Sequence, residues 1–195
     1  MSLPIDFSTD AIISIAQEAG KKILSIYSQG FDVYEKADES PLTEADLLSH
    51  KTILERLTRI TPDLPVLSEE SSKDEISNRL SWETYWLIDP LDGTKEFVKR
   101  NGEFTVNIAL VHKHEAVFGV VHAPVLGVTY WGGKDLGAYK IQDNKSRVIH
   151  IRKRPSDTAE WIIVGSRSHK TDDFRSFVEK YPDAQIISIG SSLKQ

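Results

Sequence analysis

The chain contains no cysteine among its 195 residues, which excludes disulfide scaffolds, thiol nucleophiles and sulfur-ligated zinc sites. Long apolar runs are also missing. The longest, Val106 to Val111 and Ala116 to Val121, are interrupted by Asn107 and Gly119 and fall far short of the ~20 residues that cross a bilayer. There is no basic excess: 24 Lys and Arg stand against 29 Asp and Glu, a net charge of −5, which argues against a non-specific nucleic-acid binder. The N-terminal stretch Met1 to Phe7 has neither the basic region nor the apolar core of a secretory signal. No Walker loop, Gly-x-Ser-x-Gly elbow, internal repeat or low-complexity tract is present. What remains, 39% hydrophobic and 27% charged, suits one large globular domain or one domain plus part of another, and a soluble cytoplasmic protein is expected.

Apolar residues spaced by three and four (Ala11, Ile12, Ile15, Ala16, Ala19, Ile23, Ile26, Tyr27) predict an amphipathic helix, with Ser8 or Thr9 as N-cap and Gly30 just past its end. A second helix is predicted from Thr43, burying Leu47, Leu48, Ile53, Leu54, Leu57 and Ile60 and stopped by Thr61-Pro62. Beyond Asp63 the pattern shifts to strands at Pro65–Leu67 and Tyr85–Ile88, each running into acidic residues. A hairpin of Phe104–Val111 and Ala116–His122 follows, then a meander at Val128–Trp131, Ala138–Ile141 and Val148–Ile151. From about Arg152 a strand (Trp161–Val164), a helix (Asp172–Tyr181) and a strand (Gln185–Ile189) indicate α/β character, before Gly190 to Lys194 starts another helix. The expected fold is α+β in layers, a lobe over 1–152 and the beginning of a second over 153–195. So small a second lobe buries little apolar surface, so the C-terminus is expected to be cut short.

The chemistry concentrates in Trp86-Leu87-Ile88-Asp89-Pro90-Leu91-Asp92-Gly93-Thr94. A buried strand delivers Asp89 to its end, where Pro90 should halt the ladder. Asp92 follows in a turn eased by Gly93, and Thr94 should cap a short helix. A helix N-terminus attracts anions whereas carboxylates repel them. A divalent cation reconciles the two, because Mg²⁺ takes oxygen ligands and joins carboxylates to phosphate. The Leu91 carbonyl is a further oxygen, and Glu69, at the end of another short strand, a plausible third carboxylate. Asp-Pro and Asp-Gly alone are ordinary turn formers, and Ser68-Glu69-Glu70 alone is a solvated loop; the whole string after a buried strand favours metal. Asp46, three residues after Thr43, fits a capping box and a site residue about equally. No histidine shows metal-ligand spacing, His112 and His114 falling at a hairpin tip, and Trp82, Trp86, Trp131 and Trp161 are best read as packing. Metal-assisted phosphoryl transfer to water is the leading reaction class.

These residues resemble the signature of the inositol monophosphatase superfamily of Mg²⁺-dependent, lithium-sensitive phosphatases. The flanking stretches Lys36 to Asp46, Val66 to Glu70 and Lys95 to Leu110 are similar to bacterial 3′(2′),5′-bisphosphate nucleotidases. The resemblance covers nearly the whole chain. It implies a layered α/β sandwich and hydrolysis of the 3′-phosphate of 3′-phosphoadenosine 5′-phosphate to AMP, a by-product clearance in sulfate assimilation. It further implies two or three Mg²⁺ ions with Li⁺ inhibition, and it admits a homodimer. Glu69, Asp89, the Leu91 carbonyl and Asp92 would ligate metal. Glu69 and Thr94, supported by Asp46, would orient the attacking water. Glu69, Leu91, Asp92, Gly93 and Thr94 would line the phosphate, with His169, Ser191 and Lys194 as nucleotide contacts. For the last three the plain alternative is a solvated loop and a helix cap.

Members of that family continue past the Ser-Ser-Leu-Lys stretch into a Trp-Asp segment whose aspartate completes the second metal site. The resemblance therefore implies strongly reduced or no activity for a chain ending at Gln195, with a competent phosphatase expected of a full-length parent. Two rival readings stand beside the nucleotidase: an inositol monophosphatase or other sugar-phosphate phosphatase, and a non-catalytic remnant that binds phosphate or metal. Some relatives associate peripherally with the inner membrane, but no basic amphipathic helix argues for this here.

Overall fold

The computed structural model describes residues 3–29, 33–35, 41–72, 74, 76–151, 161–167 and 171–194. Helix α1 (Thr9–Tyr27) begins at Ser8, whose hydroxyl accepts from the Ala11 amide. Ile12, Ile15, Ala16, Ala19 and Ile23 form its buried stripe at the predicted spacing. The helix is capped at its end by Ser28, whose amide donates to the Leu24 carbonyl, while the Gln29 amide donates to that of Ile26; Gly30 lies outside the described residues. A short antiparallel pair, β1 (Val33–Glu35) and β2 (Pro41–Thr43), leads into α2 (Glu44–Ile60).

Helix α2 rotates differently from the pattern in the sequence. Leu47 is 48% exposed, while Ala45, Asp46, Ser49, Thr52, Ile53 and Leu57 are buried. The polar members of that face are paired rather than misplaced: the Ser49 hydroxyl donates to the Pro90 carbonyl at 2.7 Å. A polar–apolar count alone reads such a face as the outside.

Seven strands form one sheet in the order β3 (Val66–Ser68), β4 (Thr84–Asp92), β5 (Thr105–His112), β6 (Glu115–Ala123), β7 (Val128–Gly133), β8 (Gly137–Gln142), β9 (Lys145–Ile149). Only β3 and β4 run parallel; the rest is a meander. Lys113-His114 and Asp143-Asn144 close their hairpins with both residues at positive φ, the turn that matches strand twist. The final strand of the meander occupies Lys145–Ile149 rather than the later stretch read from the sequence.

Trp86, Ile88, Val106, Ile108, Leu110, Phe118 and Val120 face α1 and α2 and form the core with them. Trp86 is fully buried, and its Nε1 donates to Thr61 Oγ1 at 2.8 Å, so the tryptophan also fixes the end of α2. The opposite face carries Leu87, Ala109, Gly119 and Val121 around an open pocket of about 520 Å³ that reaches Glu69 and Asp89.

A second, two-stranded parallel sheet pairs β10 (Ile162–Ser166) with β11 (Gln185–Ile189), connected through α4 (Asp172–Val178). That helix ends at Val178, three residues short of the sequence expectation. The expected lobe boundary at 152/153 lies outside the described residues, as does the stretch Lys36–Ser40.

Candidate active site

The site is built at the end of β4. Pro90 does not terminate the strand, as the sequence suggested; β4 continues to Asp92. The ladder pairs Asp89 with Asn107 and then Asp92 with Thr105, so three steps on β4 meet two on β5. A proline that donates no hydrogen bond is tolerated within such a bulge, and the bulge twists the acidic pair out of regular alternation. Gly93, at φ 95°, occupies the left-handed region and is the N-cap of the five-residue helix α3 (Thr94–Val98). Thr94 is therefore the first helical residue and not the cap.

Asp46 makes the capping box, and its second oxygen faces the turn after β4. Its Oδ2 accepts from the Thr43 amide (2.9 Å) and hydroxyl (2.6 Å), fixing the start of α2, while Thr94 Oγ1 donates to Oδ1 at 3.3 Å. The Thr94 hydroxyl also lies 3.4 Å from the Leu91 carbonyl. Ser49, one turn along the same face of α2, ties that helix to the Pro90 carbonyl and so registers Asp46 against the turn.

Glu69 follows Ser68, which is in register with Ile88, and its amide donates to the Ile88 carbonyl at 3.3 Å. Its backbone thus stands beside Asp89, with the side chain exposed. Asp89 is the centre of the charge problem. Burial, followed by the charges of Asp92 and Glu69 and finally Asp46, pushes its carboxyl up to about 8, against one opposing hydrogen bond from the Leu91 amide. Among the described residues its buried Oδ1 has no hydrogen-bond partner, and neither does the buried Oδ1 of Asn107, its cross-strand neighbour.

Asp92 is the contrast. Its Oδ2 accepts from Ser191 Oγ, Ser192 N and Ser192 Oγ, each at 2.6 Å, and from Thr105 Oγ1 (3.4 Å) and Asn107 Nδ2 (3.5 Å). Although burial raises the Asp92 carboxyl, these donors outweigh it and hold the group below its ordinary range.

Ser191 thus reaches the site, though through Asp92. His169 and the Lys194 side chain lie outside the described residues. Thr105, Asn107 and Ser192 belong to the site and were not singled out from the sequence. Asn107 had a readable signal, a lone amide within an otherwise apolar buried strand.

Among the described residues, no three or more acidic or histidine side chains form a ready-made metal cluster. Asp46 and Asp92 each commit one oxygen to hydroxyl and amide donors, so the carboxylates are oriented by separate networks. The donor chemistry nevertheless suits a hard divalent cation. Two buried acceptor oxygens lack donors, and a proton or a cation must offset the charge at Asp89.

A family model described as the inositol monophosphatase family matches residues 6–194. The chain belongs to that family. It is 44% identical over 188 residues to the 3′(2′),5′-bisphosphate nucleotidase CysQ of Salmonella typhimurium and 43% identical to that of Escherichia coli K12. Each match takes in 95% of this chain and 74% of the relative. The crystal structure of CysQ from Bacteroides thetaiotaomicron superposes with a TM-score of 0.78 at 41% identity, covering 95% of this chain and 73% of that one. An IMPase of Thermotoga maritima gives 0.71 at 26% identity, covering 94% and 68%. The family's layered α+β fold and phosphatase chemistry are therefore shared by this chain, and the family is metal-dependent. None of its described helices is long and apolar enough to cross a membrane.

Proposed function

We propose that this chain is a Mg²⁺-dependent 3′(2′),5′-bisphosphate nucleotidase that cleaves the 3′-phosphate of 3′-phosphoadenosine 5′-phosphate to leave AMP. The observation that carries this reading is the pair of donor-less buried oxygens on Asp89 and Asn107, flanked by Glu69, Asp92 and Asp46 at one strand end. Relatives named for that activity at 43–44% identity support the choice of nucleotide over inositol phosphate.

Glu69, Asp89, the Leu91 carbonyl and Asp92 would hold the cation, which when bound supplies Lewis-acid charge to the phosphoryl oxygens and to a water. Thr94 directs its proton to Asp46, leaving its oxygen lone pairs to accept from the attacking water and so orient it. Glu69, exposed and with its backbone beside Asp89, would take the water's proton. The Gly93 and Thr94 amides, opened by the positive φ of Gly93, would receive phosphate oxygens. His169 and Lys194 are proposed as nucleotide contacts. The division into lobes 1–152 and 153–195 is proposed on the separation of the two sheets. A cytoplasmic location and a homodimer remain part of this reading through the family alone.

The test is phosphate release from 3′-phosphoadenosine 5′-phosphate with and without Mg²⁺, set against inositol 1-phosphate. Cation-dependent release from the nucleotide, exceeding that from the inositol ester, is expected. Preference for the inositol ester transfers the reading to a sugar-phosphate phosphatase, and binding without release to a non-catalytic one.

A further inference from the structure

Glu103 joins parts of the chain that are distant in sequence. Arg167, directly after β10, donates to its carboxylate from Nε (2.7 Å) and Nη2 (2.5 Å), and Gly190, directly after β11, donates its amide at 2.7 Å. Arg167 also ties the two strands together, through Nη2 to the Ser188 carbonyl (2.9 Å) and its amide to the Ile189 carbonyl (3.1 Å). A single carboxylate beside β5 therefore grips both strands of the small sheet. The next two residues in the chain are Ser191 and Ser192, the strong donors to Asp92 Oδ2.

The junction has no slack. A Cβ on Gly190 would lie 2.7 Å from Glu96 Cγ and 3.1 Å from Glu103 Oε2, and one on Gly93 would lie 3.1 Å from Ser191 Cβ. Ser191 holds φ at 53°, a left-handed conformation that costs an L-residue energy and persists only where surrounding contacts fix it. Thr105 and Asn107 complete the grip, with Ser191 Oγ 2.9 Å from Thr105 Oγ1 and Ser192 Oγ accepting from Asn107 Nδ2 at 3.1 Å.

We propose that Glu103 and Arg167 are positioning residues: their pairing latches the β10–β11 unit so that Ser191 and Ser192 hold Asp92 in a single arrangement for the cation. This rests on the metal-site reading above. The pair itself is partly solvent-exposed, Arg167 at 47%, where an ion pair adds little to global stability. Its effect should therefore fall on the metal site more than on the fold.

Calorimetric titration of the whole chain with Mg²⁺, alongside thermal unfolding without Mg²⁺, tests the latch. Glu103→Gln places an amide donor where Arg167 or Gly190 needs an acceptor. It should weaken Mg²⁺ binding about 10-fold, the usual scale for removing a residue that orients a metal ligand, with an unfolding midpoint within about 2 °C of the parent. Arg167→Lys, which keeps the charge but not the fork, should fall in between. In a Ser191→Ala/Ser192→Ala background, where both hydroxyls are gone and only the backbone amide of residue 192 still reaches Asp92, the Glu103 substitution should cost clearly less affinity than it does in the parent. A lowered midpoint with unchanged Mg²⁺ affinity, or an equal loss in both backgrounds, overturns the latch and leaves the metal site standing. A parent chain that takes up no Mg²⁺ overturns the metal site and the latch together.

Discussion

Asp89 and His122 lie on neighbouring rungs of one sheet: Asp89 pairs with Asn107, which pairs with Val121, and the next rung pairs Val106 with His122. Both groups are withdrawn from water, yet they are accommodated in opposite ways. His122 is 7% exposed, packs against Gly20 of α1, and has Nδ1 2.9 Å from Thr129 Oγ1, which in turn accepts from Gln17 Nε2 at 3.2 Å. Burial, with a smaller contribution from Lys21, lowers its pKa to about 4, so it is neutral and its network is closed. Asp89 is surrounded by like charge and keeps a buried oxygen without a donor. The closed network is structural. The open one, at a strand end facing a pocket, has no donor for that oxygen among the described residues and is where the cation is proposed to bind.

The sharpest way to break this contrast is Asp89→Asn. If Asp89 holds the cation, phosphate release should fall about 10³-fold, roughly 4 kcal/mol of barrier. In EDTA at neutral pH the unfolding midpoint should hold or rise, because a group whose ionisation is opposed by burial and by the charges of Asp92 and Glu69 has been replaced by a neutral amide. A lowered midpoint with retained turnover would make Asp89 a structural residue like His122.

The next effect belongs to His122. An unfolded histidine takes its proton near pH 6.5 and the folded one only near 4, so the unfolded state binds more protons between those values. The stability that depends on neutral His122 is complete above about pH 6.5 and is lost as the pH falls to about 4, by about 3 kcal/mol at most. Urea titrations across that window should show the slope, and His122→Asn, which does not titrate, should reduce it.

Smaller still is Gly20→Ala. A Cβ there would come within 2.6 Å of His122 Cδ2 and 2.7 Å of Nε2, inside a buried ring that has little room to shift. A loss of about 1–3 kcal/mol in urea unfolding, with phosphate release per folded molecule unchanged, is expected. At the bottom of the scale, Lys134→Ala removes the exposed 2.9 Å pair with Glu115 and should leave both the unfolding midpoint and turnover where they were.

Much of the scaffold on which these two networks stand was legible in the residues themselves. The stripe from Ile12 to Ile23, the Ser8 cap, the stop at Thr61 and the β5–β6 hairpin all follow from periods and turn preferences that act over a few residues. The strand-end carboxylates were also visible, because a buried run ending in Asp89-Pro90-Leu91-Asp92-Gly93 has few other uses. Three features were misjudged for a shared reason. Leu47 points outward because Ser49 and Asp46 have partners on the inner face; Pro90 stays in the strand because a bulge excuses its missing N–H; and Thr94 yields the cap to Gly93 because the turn needs a positive φ. Each outcome depends on a partner that local pattern does not contain.

By itself, then, the sequence determined the helices, the order of the meander and the acidic strand ends, since those depend on side-chain spacing and backbone preference within a turn or a pleat. The tertiary structure alone decided that Asp92 is gripped by serines 99 and 100 positions away while Asp89, three residues from it, keeps an oxygen without a donor. Hydrogen bonding between distant segments depends on how sheets and helices pack, and packing sums contacts over the whole chain.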